Sequence, residues 1–220
     1  FHELHDLVER RYSQNESGKS LLDWNKDCIQ IAYLILFFGV DNSSTSYLQK
    51  LIKEIITDEK AEKKFIENCI NPLIDNHKNQ KESNDKSWQK NYFLYDGHQS
   101  RLGHYLRHLF QTVTYINRQP STLFTFDEKY EYIKTLRAQL STHEQALFLY
   151  NSISPLGAPW ELDTTITDNN NKLITKYNLV KNLPEGFTRK INPKTFYPDV
   201  FFEFDKTKTP NRIELEKHYS

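Results

Sequence analysis

The stretch RLGHYLRHLFQ, residues 101 to 111, with His98 just ahead of it in DGHQS, holds three of the chain's 8 histidines beside Arg101 and Arg107. Imidazole titrates near neutrality and can take a proton from a ribose 2′-hydroxyl, while a guanidinium fork holds the charge that develops on phosphate oxygens. Such a set needs no metal to act as a general acid and base on a phosphodiester. From His98 to Phe126 there is no acidic residue, although 29 basic and 29 acidic side chains cancel over the whole chain. A neutral molecule has no overall field to gather nucleic acid or anionic lipid, so any attraction for phosphate must be local.

A helix positions these groups. At about 100° per residue with Arg101 at zero, Leu102, Leu106, Leu109, Phe110, Val113 and Ile116 fall between roughly 60° and 180°, an apolar stripe for a core. Arg101, His104, His108, Gln111 and Tyr115 gather between roughly 0° and −80°, on another side of the same helix. The reading assigns Arg101, His104 and His108 to catalysis and His98, Arg107, Gln111 and Tyr115 to substrate binding. The competing reading is plain solvation, since exposed Arg and His are common on helix surfaces. His104 and His108 also stand at i and i+4, a zinc-compatible spacing, but no carboxylate or thiolate lies near them in sequence. No metal and no cofactor is expected. His2, His5, His77 and His218 are expected at the surface, and His143 in local structure.

The surrounding chain reads as helical. Apolar residues recur at three and four through FHELHDLVERRY, SLLDWNKDCIQIAYLILFFGV and SYLQKLIKEIITDEKAEKKFIENCINPLI. The almost wholly polar residues 76 to 91 predict a surface loop. Helix resumes from about Ser100 to Asn117 and from Asp127 to Leu140, and STHE at 141 to 144 predicts a capping box that opens another helix. Those last two helices are expected to form an antiparallel pair. PLGAPW reads as a turn-rich corner, TDNNNK as a polar loop, and KLITKYNLVKNLP as a short helix ended by Pro184. Aromatic alternation in TFYPDVFFEFD suits a strand or an extended arm. The fold class is mainly α, a bundle of roughly six to eight helices with a small irregular or β element at the C-terminal end. The expected organisation is a helical domain over residues 1–185 and an arm over 186–220.

The run IAYLILFFGV has ten residues, about half of what a bilayer crossing needs. Cys28 and Cys69 show no paired ligand spacing and read as buried free thiols of a reducing cytoplasm. A chain that opens at Phe1 and contains no Met reads as a fragment. Arg137 and Gln139 are read either as part of a pocket or, for Arg137, as a structural tie to Glu144 or Glu131, and Asn151 and Ser152 as helix-capping residues.

The stretches YDGHQSRLGHYLRHLFQTVTYI, LRAQLSTHEQALFLYNSIS and LITKYNLVKNLP resemble the phage abortive infection family of bacteria, the AbiC-like group, most strongly from about Tyr92 to Pro184. FHELHDLVERRY and the segment ending in LILFFGV are similar to the corresponding regions of that family. The resemblance implies defence in which an infected cell is halted before virus is released. It also implies a membrane tether through helices ahead of this region, so the chain is expected in the cytoplasm or on the cytoplasmic face of the inner membrane. Many abortive infection proteins are similar to HEPN ribonucleases, all-helical and dimeric, whose motif is Arg, four to six residues, then His. Arg101 and His108, separated by LGHYLR, match that spacing, with Leu102 where those ribonucleases commonly carry a polar residue. RNA is the expected partner under this reading, and a homodimer the expected assembly. The alternative is a non-enzymatic module that binds a phage or host protein through the polar loop at 76 to 91 and the aromatic arm Phe196 to Phe204.

Overall fold

The computed structural model describes residues 1–13, 18–41, 45–82, 96–162 and 172–205. The chain divides into two compact units, Phe1–His104 and Tyr105–Ser220. Among the described residues the regular elements are all helical, and the C-terminal element is built of turns and one short helix.

In the first unit, α1 (His2–Arg11) packs on α2 (Leu21–Phe38), which also meets α3 (Thr45–Ile55). Ser20 caps α2 by accepting from the Asp23 N–H at 3.2 Å. Ile29, Ile31, Leu34 and Ile35 lie on different sides of α2 and are all buried, so this helix is the centre of the unit rather than its surface. No helix among the described residues is long and apolar enough to cross a membrane.

The chain then runs through α4 (Glu59–Phe65), a π-helical turn (Ile66–Ile70) and α5 (Asn71–Glu82). The sequence reading carried one helical pattern through this region. Asp58 instead opens a new helix, its carboxylate accepting from the Ala61 N–H at 2.7 Å. Pro72 explains the widened turn: it has no N–H to offer the preceding turn, and its ring crowds the carbonyl four residues back. The Asn71 N–H reaches to Ile66 instead.

Two further expectations change in this unit. Helix extends through Glu82, so residues 76 to 82 are not loop; the rest of that predicted loop, 83 to 91, lies outside the described residues. His5 and His77, expected at the surface, are buried. His77 Nε2 lies 3.4 Å from Asp96 Oδ1, which ties α5 to the segment that precedes the next helix.

That segment turns at Gly97. Its φ is +79°, and a Cβ there would lie 2.5 Å from the Phe38 carbonyl oxygen, so only glycine fits. The close approach lets the His98 N–H donate to the carbonyls of Leu36 and Phe37 at 3.1 and 2.9 Å, closing the end of α2. α6 (Gln99–Asn117) follows directly.

In the second unit, α7 (Phe126–Ala138) and α8 (Thr142–Ile153) each start with a capping box. The one at Ser141 and Glu144 is as the sequence predicts. The one at Thr125 and Glu128 has the same Ser/Thr-x-x-Glu signature and is an addition to the sequence reading. After α8 the chain doubles back at Gly157, where a Cβ would lie 2.2 Å from the Asn151 carbonyl oxygen. A 3-10 turn (Ala158–Trp160) then places Trp160 edge-on to Phe110 and Phe148, with ring centres 4.9 and 4.7 Å apart.

α9 (Leu173–Tyr177) is only five residues long, and all five are buried. A helix this short is marginal alone. Glu161 accepts from the Thr175 N–H at 2.7 Å and from its hydroxyl at 2.5 Å, near the start of α9. At the other end, Arg137 donates to the carbonyls of Tyr177 and Asn178 at 2.9 and 3.0 Å. A carboxylate at the N-terminus and a guanidinium at the C-terminus both oppose the helix dipole. Asn178, with φ 49° and ψ 44°, ends α9 in the left-handed region, so the helix stops well before Pro184.

α10 (Pro193–Phe196) leads into the aromatic tail. Tyr197, Val200 and Phe202 are buried, and the Tyr197 hydroxyl donates to Ser152 Oγ at 2.7 Å. The tail is neither strand nor exposed arm up to Asp205, because its aromatic side chains complete the core of this unit. The predicted loop over 167 to 171, the last residues 206 to 220 and His218 among them lie outside the described residues.

Candidate functional site

α6 carries the Arg and His face. The wheel's apolar stripe is borne out: Leu106, Leu109 and Val113 are buried, with Phe110 half-buried against Trp160. Arg101, His104, Arg107, His108, Gln111 and Tyr115 are all exposed, Tyr115 at 69%, and His98 is half-buried. Along a continuous helix Arg101, His104 and His108 follow one another by three and four residues, so their Cα atoms rise by about one turn, roughly 5 Å, at each step.

Among the described residues, the side chains of Arg101, His104, Arg107 and His108 make no hydrogen bond or ion pair. Their charge and donors therefore face solvent. Among the described residues no carboxylate holds either imidazole in one tautomer, so the face presents donors to solvent rather than an oriented base. Tyr105, between these residues and the core side, is different: burial and the carboxylate of Glu144 push its hydroxyl up to about 12, so it stays a neutral phenol.

Helix ends supply the remaining cation chemistry. Lys129 donates to the carbonyls of Asn117, at 3.3 Å, and Gln119, closing the C-terminus of α6, which carries no basic residue in its last turn. Residues 97–188 match the family model described as Putative phage abortive infection protein. The match begins at Gly97, includes the whole Arg and His face, and covers less than half of the chain. The matched segment starts at Gly97 and runs through α6, α7, α8 and α9. No curated protein and no solved structure matches this chain.

Other residues singled out in the sequence resolve as follows. Arg137 is a structural tie rather than part of a pocket, but its partners are the carbonyls that end α9 rather than Glu144 or Glu131. Gln139 is exposed and follows α7 as its C-terminal cap. Asn151 and Ser152 are buried within α8, Ser152 serving Tyr197 rather than capping. His143 is exposed and meets the Phe187 ring edge-on at 5.1 Å. Cys28 and Cys69 are free and buried, and burial pushes the Cys69 thiol up to about 12 and Cys28 higher still. Missed in sequence was the grouping of His5, Asp6 and Glu9, whose ligand atoms all lie within 4.8 Å of one another. The signal was there in HELHDLVE, with donors one and four residues apart on one helix.

Proposed function

We propose that this chain is an anti-phage defence protein of the abortive-infection type and that the exposed face of α6 engages RNA phosphodiesters. The family match over 97–188 supports the defence role. The observation that carries the RNA reading is the exposure of Arg101, His104, Arg107 and His108 without any protein partner among the described residues, in a stretch that has no carboxylate from His98 to Phe126. Cations that pair with no carboxylate keep their full attraction for phosphate.

In this reading His108 takes the proton of the attacking 2′-hydroxyl, Arg101 clamps the phosphoryl oxygens, and the new bond from the 2′-oxygen to phosphorus displaces the 5′-oxygen, which takes a proton from solvent and leaves as a 5′-hydroxyl beside a 2′,3′-cyclic phosphate. His104, Arg107, His98, Gln111 and Tyr115 hold the strand. The imidazoles gain the orientation they lack on an open helix when a second copy of the chain or the RNA itself closes over the face.

The test is induced expression in bacteria together with an RNA cleavage assay in chelator. Growth arrest and cyclic-phosphate ends are expected for the wild type, with at least a hundredfold loss of cleavage in His108→Ala and in Arg101→Ala. Full toxicity and cleavage in the double variant would overturn the proposal. A second reading, a protein-binding module, draws on Leu123 and Tyr132, exposed at 60% and 56% in the same segment. It predicts phage resistance that survives the α6 variants and is lost in Leu123→Ser, Tyr132→Ser.

A further inference from the structure

We propose that His5, Asp6 and Glu9 on α1 form a site for a divalent transition ion of the zinc class. Glu9 lies one turn after both His5 (i, i+4) and Asp6 (i, i+3), so the helix sets its carboxylate beside each of them. One ligand atom from each lies within 4.8 Å of the other two. His5 is 4% exposed, its Nδ1 lies 4.0 Å from Glu9 Oε2, and its ring is stacked on Phe1 with centres 5.9 Å apart and planes at 24°. The stack fixes the imidazole plane, while Asp6 and Glu9 are half-buried rather than enclosed.

Zinc binds imidazole nitrogen and carboxylate oxygen at about 2.0–2.2 Å, which puts tetrahedral ligands roughly 3.4 Å apart. The 4.0 Å between His5 and Glu9 needs about half an ångström of closure, and the widest separation little more than one. Rotation of two carboxylate side chains supplies that without moving the helix. An imidazole with two carboxylates suits a borderline ion and leaves a fourth position for water; magnesium and calcium prefer oxygen ligands throughout. Two carboxylates close to each other also repel, and a dication offsets that.

The site draws its ligands from α1 and none from α6, so the experiment separates the two. Zinc is titrated into the full chain by calorimetry, and retained metal is counted by mass spectrometry after gel filtration. One zinc per chain is expected, with a rise in melting temperature. Glu9→Gln and Asp6→Asn, chosen because neither group is in the core, each lower zinc affinity at least tenfold with the helical circular dichroism unchanged. The double variant His104→Ala, His108→Ala keeps both stoichiometry and affinity. No saturable zinc uptake, unchanged affinity in both carboxamide variants, or uptake lost only in the His104 and His108 double would each overturn the assignment.

Discussion

In the unit Phe1–His104 a buried carboxylate is held by groups gathered from several segments, whereas in Tyr105–Ser220 the half-buried Glu161 and the buried Arg137 sit at the two ends of a single short helix. Asp27 on α2 accepts from the Tyr12 hydroxyl at 3.1 Å and from Lys19 Nζ at 2.6 Å, and Lys19 also donates to the Ile55 carbonyl at 2.9 Å. That cluster ties α1, α2 and the end of α3 by direct pairing of opposite charges. In the second unit, among the described residues, Arg137 and Glu161 have backbone groups of α9 rather than an opposite charge as their hydrogen-bond partners. The difference shows two ways to keep an ion out of water. A pair supplies its own counter-charge, while a helix supplies a fixed dipole whose ends need charges.

The largest effect is expected from breaking the helix-end arrangement. Arg137→Ala leaves two buried carbonyls without a donor and opens a cavity in a side chain's place, at a cost of about 3 kcal/mol. Urea unfolding measures the loss. Hydrogen exchange locates it: amides of α9 and of the turns after it should open first, with those of α2 still protected. Equal loss of protection in α2 would mean the two units do not carry separate stabilising devices.

The charge cluster responds to pH in its own way. Burial raises the Asp27 carboxyl above its ordinary 3.8, against the opposing pull of Lys19 and Tyr12. A carboxyl whose folded pKa exceeds its unfolded one holds its proton more tightly in the native state, so stability declines as pH rises from 3.8 through the folded value. Lys19→Ala raises that folded value further and removes the partner; about 2 kcal/mol should be lost at pH 7, a figure kept modest because Lys19 is partly exposed, and less in acid. Asp27→Asn should flatten the slope that Asp27 contributes and leave that of Glu161, which burial also raises. Urea midpoints measured from pH 3.5 to 7 for the three proteins decide this. A slope unchanged by Asp27→Asn would remove the cluster from the comparison.

The smallest effect belongs to local structure that neither device needs. Ser141→Ala removes the hydroxyl that accepts from the Glu144 N–H and should cost about 1 kcal/mol, read as a small shift of the urea midpoint. It also frees Glu144, whose carboxyl the Ser141 hydroxyl and N–H hold below the ordinary range.

What could be read in advance was local. The buried stripe of α6 follows from a period of 3.6, and the start of α8 from Ser141 and Glu144 three residues apart. The exposed face bearing Arg101, His104 and His108 follows from the same wheel. The errors share a cause. His5 and His77 read as surface histidines because one lies near the start of the chain and the other in a predicted loop, and the tail from Tyr197 to Phe202 looks like an exposed arm because its alternation is that of a strand. In each case burial depends on what packs against the residue, and no spacing in a short window reports that.

The sequence by itself determined that the chain is built of helices, that α8 opens at a capping box on Ser141, and which face of α6 is apolar, because propensity, capping and periodicity act within a few residues. Only the tertiary structure decided that Arg137 ends a helix some forty residues away, that Asp27 is held by Lys19 and Tyr12, and that His5 is enclosed beside Asp6 and Glu9. Desolvation sets the fate of those groups, and it is fixed by neighbours that the chain brings together only when folded.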